Sequence, residues 1–103
     1  MSVLLEFAMF PTDKGSSVSA YVSKVIEIIR SSGAAYRLTP MGTIVETETM
    51  EKALDILHQA YAVLEPVSER IYCSAKFDIR KGKQNRMDSK IASIEEKIGE
   101  VTQ

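Results

Sequence analysis

Two amphipathic helical patterns, each flanked by strand patterns, predict an α+β sandwich. Its sheet is four-stranded and antiparallel, with both helices on one face and an added C-terminal helix. Three observations carry this reading. The run Val3 to Phe10 is almost wholly apolar, which fits a strand buried on both faces and so central in its sheet. Apolar residues recur at helical spacing from Val18 and again from Met50. From Arg70 to Arg80 apolar and polar residues alternate cleanly.

In the first strand Val3, Leu5, Phe7 and Met9 share one face, and Leu4, Glu6, Ala8 and Phe10 the other. Pro11 to Ser16 is a loop, from which Ser16 or Ser17 is expected to cap the first helix. Val18, Tyr21, Val22, Val25, Ile26 and Ile29 make that helix's apolar stripe, and Gly33 stops it. Ala34 to Thr39 reads as an edge-type strand. Pro40 and Gly42 then punctuate a turn into a β-branched strand. Thr43, Val45 and Thr47 point one way along it; Ile44, Glu46 and Glu48 point the other. Thr49 is the expected N-cap of the second helix, and Glu51 suits its dipole. Met50, Ala53, Leu54, Leu57, Ala60, Tyr61 and Leu64 form the second stripe, which Pro66 ends.

In the last strand Ile71, Cys73, Ala75, Phe77 and Ile79 are expected to face inward, with Cys73 a buried, inert thiol. Tyr72, Ser74, Lys76, Asp78 and Arg80 face the other way. The basic segment Arg80 to Arg86 reads as a solvated loop, a phosphate contact being the alternative. A final helix begins at about Met87 or Asp88. Its apolar residues, Ile91, Ile94, Ile98 and Val101, form a seam too narrow for a core face, which predicts packing across a subunit boundary. The element order makes two strand–helix–strand halves, the split arrangement of the ferredoxin-like fold with right-handed crossovers. One sheet face is left open, and Glu6, Glu46 and Asp78 lie on it.

The 103 residues predict a single domain, 1–103, with one modest core. A net charge of −1 gives no footprint for nucleic acid or for an anionic membrane. No apolar run is long enough to span a bilayer. The start, Met1 to Glu6, lacks the basic region of a signal peptide. The one cysteine cannot form an internal disulfide. Together these predict a cytosolic protein. One Cys and one His make no zinc site, so neither metal nor cofactor is expected. His58 reads as a surface residue. The three isolated glycines Gly15, Gly33 and Gly42 make no phosphate loop, and no nucleophile–base spacing stands out. The open-face carboxylates leave two readings. One is a subunit interface; the other is a pocket where acids meet an amino-bearing or cationic ligand and Phe10, Tyr36 or Tyr72 stacks on it.

Several segments together resemble the small thiamine-binding protein family. These are Phe10-Pro11 with Ser16-Ser17, Ser32 to Leu38 before Met41-Gly42-Thr43, Glu46 in the following strand, and Arg70 followed by Lys76-Phe77-Asp78-Ile79-Arg80. The likeness covers nearly the whole chain in the same element order. It implies a ferredoxin-like fold, assembly into dimers and tetramers, and binding of thiamine or its hydroxymethylpyrimidine half rather than catalysis. By the same likeness the ligand residues are Ser17, Met41, Thr43, Glu46, Asp78 and Arg80. The family commonly has Gly after the strand glutamate, where this chain has Thr47. Two other functions stay open: an enzyme of thiamine or pyrimidine salvage with Glu46 or Asp78 as acid–base group, and a structural or regulatory oligomeric domain for another small molecule.

Overall fold

A computed structural model describes residues 1–103. The elements run β1 (Ser2–Pro11), α1 (Ser19–Ser31), β2 (Ala35–Thr39), β3 (Gly42–Thr47), α2 (Met50–Leu64), β4 (Ile71–Arg80) and α3 (Arg86–Ile98). The sheet order is β2-β3-β1-β4, antiparallel throughout. This is the ferredoxin-like α+β sandwich with a helix added. The strand that is apolar on both faces, β1, lies between β3 and β4, because only an interior strand can use two apolar faces.

Val3, Leu5, Phe7 and Met9 of β1 and Val45 of β3 form the floor of the core. Val25 and Ile29 of α1 and Ala53, Ile56, Ala60 and Leu64 of α2 close it from above. The buried face of α2 is rotated from the expected stripe. Ile56 is buried, whereas Leu54 and Tyr61 are 48% and 45% exposed. Ala53 and Ala60 explain this, since small side chains let the helix lie close to the sheet on their own face.

Four further expectations are corrected. Val18, not Ser16 or Ser17, is the N-cap of α1, and its carbonyl accepts from Tyr21 and Val22 N–H. Thr49 does cap α2, accepting from Lys52 N–H. The inward-parity residues Cys73, Ala75 and Ile79 are exposed, because β4 is an edge strand and both helices pack over its neighbours. Arg86 belongs to α3 and is only 3% exposed, so the basic loop is not solvated throughout. Finally, α3 lies across its own sheet by its first half, with Met87 buried and Ile91 half-buried; Ile94 and Ile98 remain 50% and 72% exposed.

The β2–β3 turn is fixed by Thr39. Its hydroxyl accepts from Met41 and Gly42 N–H and donates to the Gly42 carbonyl. A β-carbon on Gly42 would sit 2.9 Å from the Phe7 carbonyl oxygen, so the strand needs glycine there for close approach to β1. Gly42→Ala is expected to lower the unfolding free energy by about 1–3 kcal/mol through this overpacking. Urea denaturation followed by circular dichroism measures it.

Candidate functional site

The site is built around Glu46. On the open face Glu46 of β3 and Asp78 of β4 flank Leu4 of β1 from its two sides. Glu46 Oε2 accepts from the Ser2 hydroxyl at 2.6 Å and from Arg86 N–H at 2.9 Å. Its Oε1 accepts from Met87 N–H at 3.1 Å. These are the first amides of α3, which no intrahelical carbonyl can satisfy. Asn85, the N-cap, has φ 53° and offers no side-chain cap. Glu46 therefore caps α3 from another strand and meets the positive end of its dipole.

The guanidinium of Arg86 turns inward beside it. Its Nε donates to the Ser2 hydroxyl at 3.1 Å, and its Nη2 donates to the carbonyls of Ser2, at 2.9 Å, and Asp78. Its Nη1 pairs with Asp78 Oδ2 at 3.0 Å, which also accepts from Lys90 Nζ at 3.0 Å. Further along, Arg37 of β2 pairs with Asp88 and donates to Gln103 Oε1 at 2.7 Å. Burial pushes the Glu46 carboxyl up, but the bonds from Ser2, Met87 and Arg86, with the Arg86 charge, outweigh it and hold it below its ordinary value. Asp78 is held low by Lys90 and Arg86.

Two concavities adjoin this clasp. The larger, about 660 Å³, opens at the end of the sheet. The end of α1 (Ser32, Gly33), the first residues of the β2 segment (Ala34, Ala35), the end of β3, the first turns of α2 and the residues Gln84 and Asn85 enclose it. Glu46, Glu48, Glu51 and Asp55 line it with Lys52 and the Met1 amino terminus: four carboxylates against two ammonium groups, net −2. The C-terminal carbonyls of α1 add negative potential. The smaller groove, about 360 Å³, lies between α3 and the sheet, lined by Leu4 and Ile44 of the sheet and by Met87 and Ile91 of α3. Its acids are neutralised, Glu6 by Lys76 at 2.8 Å and Asp78 by Arg86 and Lys90. Of the two, the larger cleft is the one that offers a cation unmatched negative charge.

The six residues expected at one site divide between the two ends of the sheet. Ser17 is exposed in the loop after β1, Met41 is 90% exposed at the β2–β3 turn, and Thr43 is buried opposite Phe7. Glu46, Asp78 and Arg80 lie at the other end, Arg80 exposed opposite Ser2. Of the six, Glu46 alone lines the large cleft, and Asp78 lines the groove. Sequence reasoning missed Ser2, Arg86 and Asn85, as well as the cleft acid Asp55. Nothing in Lys83-Gln84-Asn85-Arg86 signals a buried arginine, because its partners are 8 to 84 residues away. Asp55 is legible only as one turn beyond Glu51 on the helix. His58 and Cys73 are both exposed, and no group of three His, Cys, Asp or Glu side chains converges to hold a metal.

The clasp makes α3 docking acid-sensitive. Glu46 and Asp78 have depressed folded values, so their contribution is complete above their ordinary values of 4.5 and 3.8 and is lost as pH falls through the lower folded ones. The protection of the Met87 amide relative to its intrinsic exchange rate, followed by NMR between pH 7 and pH 3, is expected to fall below about pH 4 while amides of β1 stay protected.

The sequence model described as thiamine-binding protein matches residues 5–95. A UPF0045 protein of Methanocaldococcus jannaschii is 32% identical, over 91% of this chain and 93% of that one. One of Methanothermobacter thermautotrophicus is 31% identical, over 81% and 85%. The crystal structure of a hypothetical protein of M. jannaschii superposes with a TM-score of 0.82 at 32% identity, covering 92% of this chain and 97% of that one. A domain of unknown function from Bacillus cereus gives 0.75 at 27% identity, covering 87% and 86%. With nearly the whole chain matched and the sheet, helices and strand glutamate in the expected places, the chain belongs to the thiamine-binding protein family.

Proposed function

We propose that this protein binds thiamine or its hydroxymethylpyrimidine half in the cleft at the end of the sheet, as a cytosolic carrier, buffer or sensor rather than an enzyme. The observation that carries this is the cleft's charge. A pocket of about 660 Å³ is of ligand size and bears a net −2, with Glu51 and Asp55 facing no cationic partner. Thiamine brings a permanent cation and an aminopyrimidine whose amine donates. Glu46 accepts from that amine; Glu51 and Asp55 offset the thiazolium. Asp78 positions Arg86 and so the Gln84–Asn85 wall of the cleft. Arg80 stands at the same end of the sheet. Ser17, Met41 and Thr43 stand at the far end of the sheet and contribute to this cleft only through a neighbouring copy.

Assembly is supported by two uncovered apolar surfaces. One is the free edge of β4, with Cys73, Ala75 and Ile79 exposed, to which the exposed Leu54 and Tyr61 of α2 add apolar area. The other is the Ile94 and Ile98 side of α3. An open edge strand beside exposed apolar residues favours pairing with another copy. No helix is long and apolar enough to cross a membrane.

Calorimetry with thiamine and with hydroxymethylpyrimidine tests the reading. Both should bind without conversion; product formation, seen by chromatography, would favour the salvage enzyme. Glu46→Gln is expected to weaken both ligands about ten-fold or more, since a charge-assisted bond is worth roughly 1.5–3 kcal/mol. Combined Glu51→Gln and Asp55→Asn should weaken thiamine about five-fold and the uncharged pyrimidine hardly at all. Equal losses for the two ligands would remove the charge argument. In light scattering the native chain is expected as a dimer or tetramer. Leu54→Glu should shift it towards monomer, because an unpaired charge in an apolar contact is costly.

A further inference from the structure

The Glu46 carboxylate is already occupied. Arg86 N–H sits on one oxygen and Met87 N–H on the other, one amide to each. That is a fork of two roughly parallel N–H donors on a carboxylate, the most favourable way such a group is recognised. The amine of an aminopyrimidine is an N–H donor of the same kind and competes for the same carboxylate oxygens. The residues just before α3, Gln84 and Asn85, form the cleft wall next to Glu46. Asn85 holds a left-handed backbone, which asparagine adopts more readily than most residues, and so turns the chain from the cleft wall into α3.

Beyond this clasp α3 is thinly held. Asp88 reaches Arg37, Lys90 reaches Asp78, and Met87 and Ile91 supply the apolar contact. Ile94 and Ile98 are largely exposed, so the second half of the helix adds little.

We propose that the N-terminus of α3 is a built-in competitor for the ligand. An aminopyrimidine edge that takes the Glu46 carboxylate displaces the first turn of α3, and the helix leaves the open sheet face. Occupancy of the cleft is thereby converted into exposure of Leu4 and Ile44, which line the groove beneath α3. This rests on the binding reading above and adds its regulation. Because binding and docking exclude each other, linkage requires that weakening the dock tighten the ligand.

The test uses the full chain with thiamine and hydroxymethylpyrimidine as probes, calorimetry and hydrogen exchange being run on the same samples. Saturating probe is expected to speed exchange of α3 amides at least about ten-fold while β1 and β3 amides are unchanged or slowed. Ile91→Ala, which loosens the dock from within the smaller groove, is expected to tighten both probes about three-fold or more. Arg37→Ala, an exposed change that removes the Asp88 and Gln103 contacts, should do the same if Ile91→Ala fails to fold. Binding heat with α3 exchange unchanged or slowed overturns the competition and leaves the binding reading standing. Affinities unaltered in the loosened variants overturn it as well. Absence of heat from both probes removes the binding reading, and the competition falls with it.

Discussion

One carboxylate, Glu46, joins the sheet to the helix that crosses its open face. Its two oxygens hold the Ser2 hydroxyl and the first two amides of α3. Arg86, carried in by that helix turn, then satisfies the Ser2 and Asp78 carbonyls with a guanidinium that is almost wholly enclosed. A charge so placed is tolerated because it is paired and fully hydrogen-bonded. With either partner missing, the other is left buried and uncompensated, which costs far more than the pair contributes. The position of α3, the wall of the cleft and the neutral groove beneath the helix all depend on this arrangement.

The same arrangement sorts charge. On the groove side every acid faces a cation, so Glu6 and Asp78 carry little free potential. On the cleft side Glu51 has no ion-pair partner, Asp55 accepts only from Gln59, and Glu48 meets Lys52 across 3.5 Å. Two cavities separated by a single turn thus differ in what they attract.

Coverage of the sheet is unequal for a topological reason. Each crossover helix lies over the strands between the two it connects, so the interior strands receive both helices and β4 receives little. Cys73, Ala75 and Ile79 on its apolar parity face are therefore left to solvent in a single chain, while Ile71 and Phe77 still reach the core. The displaced burial of α2, with Ile56 in and Leu54 and Tyr61 out, belongs to the same geometry.

The sequence by itself determined the element order, the central place of β1 and the alternation of β3, because these follow from local periodicity and from the need to bury an apolar run on both sides. It also placed Glu46 and Asp78 on one face, since the strand repeat of two is rigid. Tertiary structure alone decided what those carboxylates touch. Periodicity says which way a side chain points and nothing about what arrives there from distant sequence. Ser2 comes from the start of the chain and Arg86 from a polar stretch with no pattern. The exposure of Cys73 was hidden for the related reason that parity names a face but not its cover. Likewise Ser17, Met41 and Thr43 shared a family resemblance with Glu46, while the direction of β3 sets them at the opposite end of the sheet.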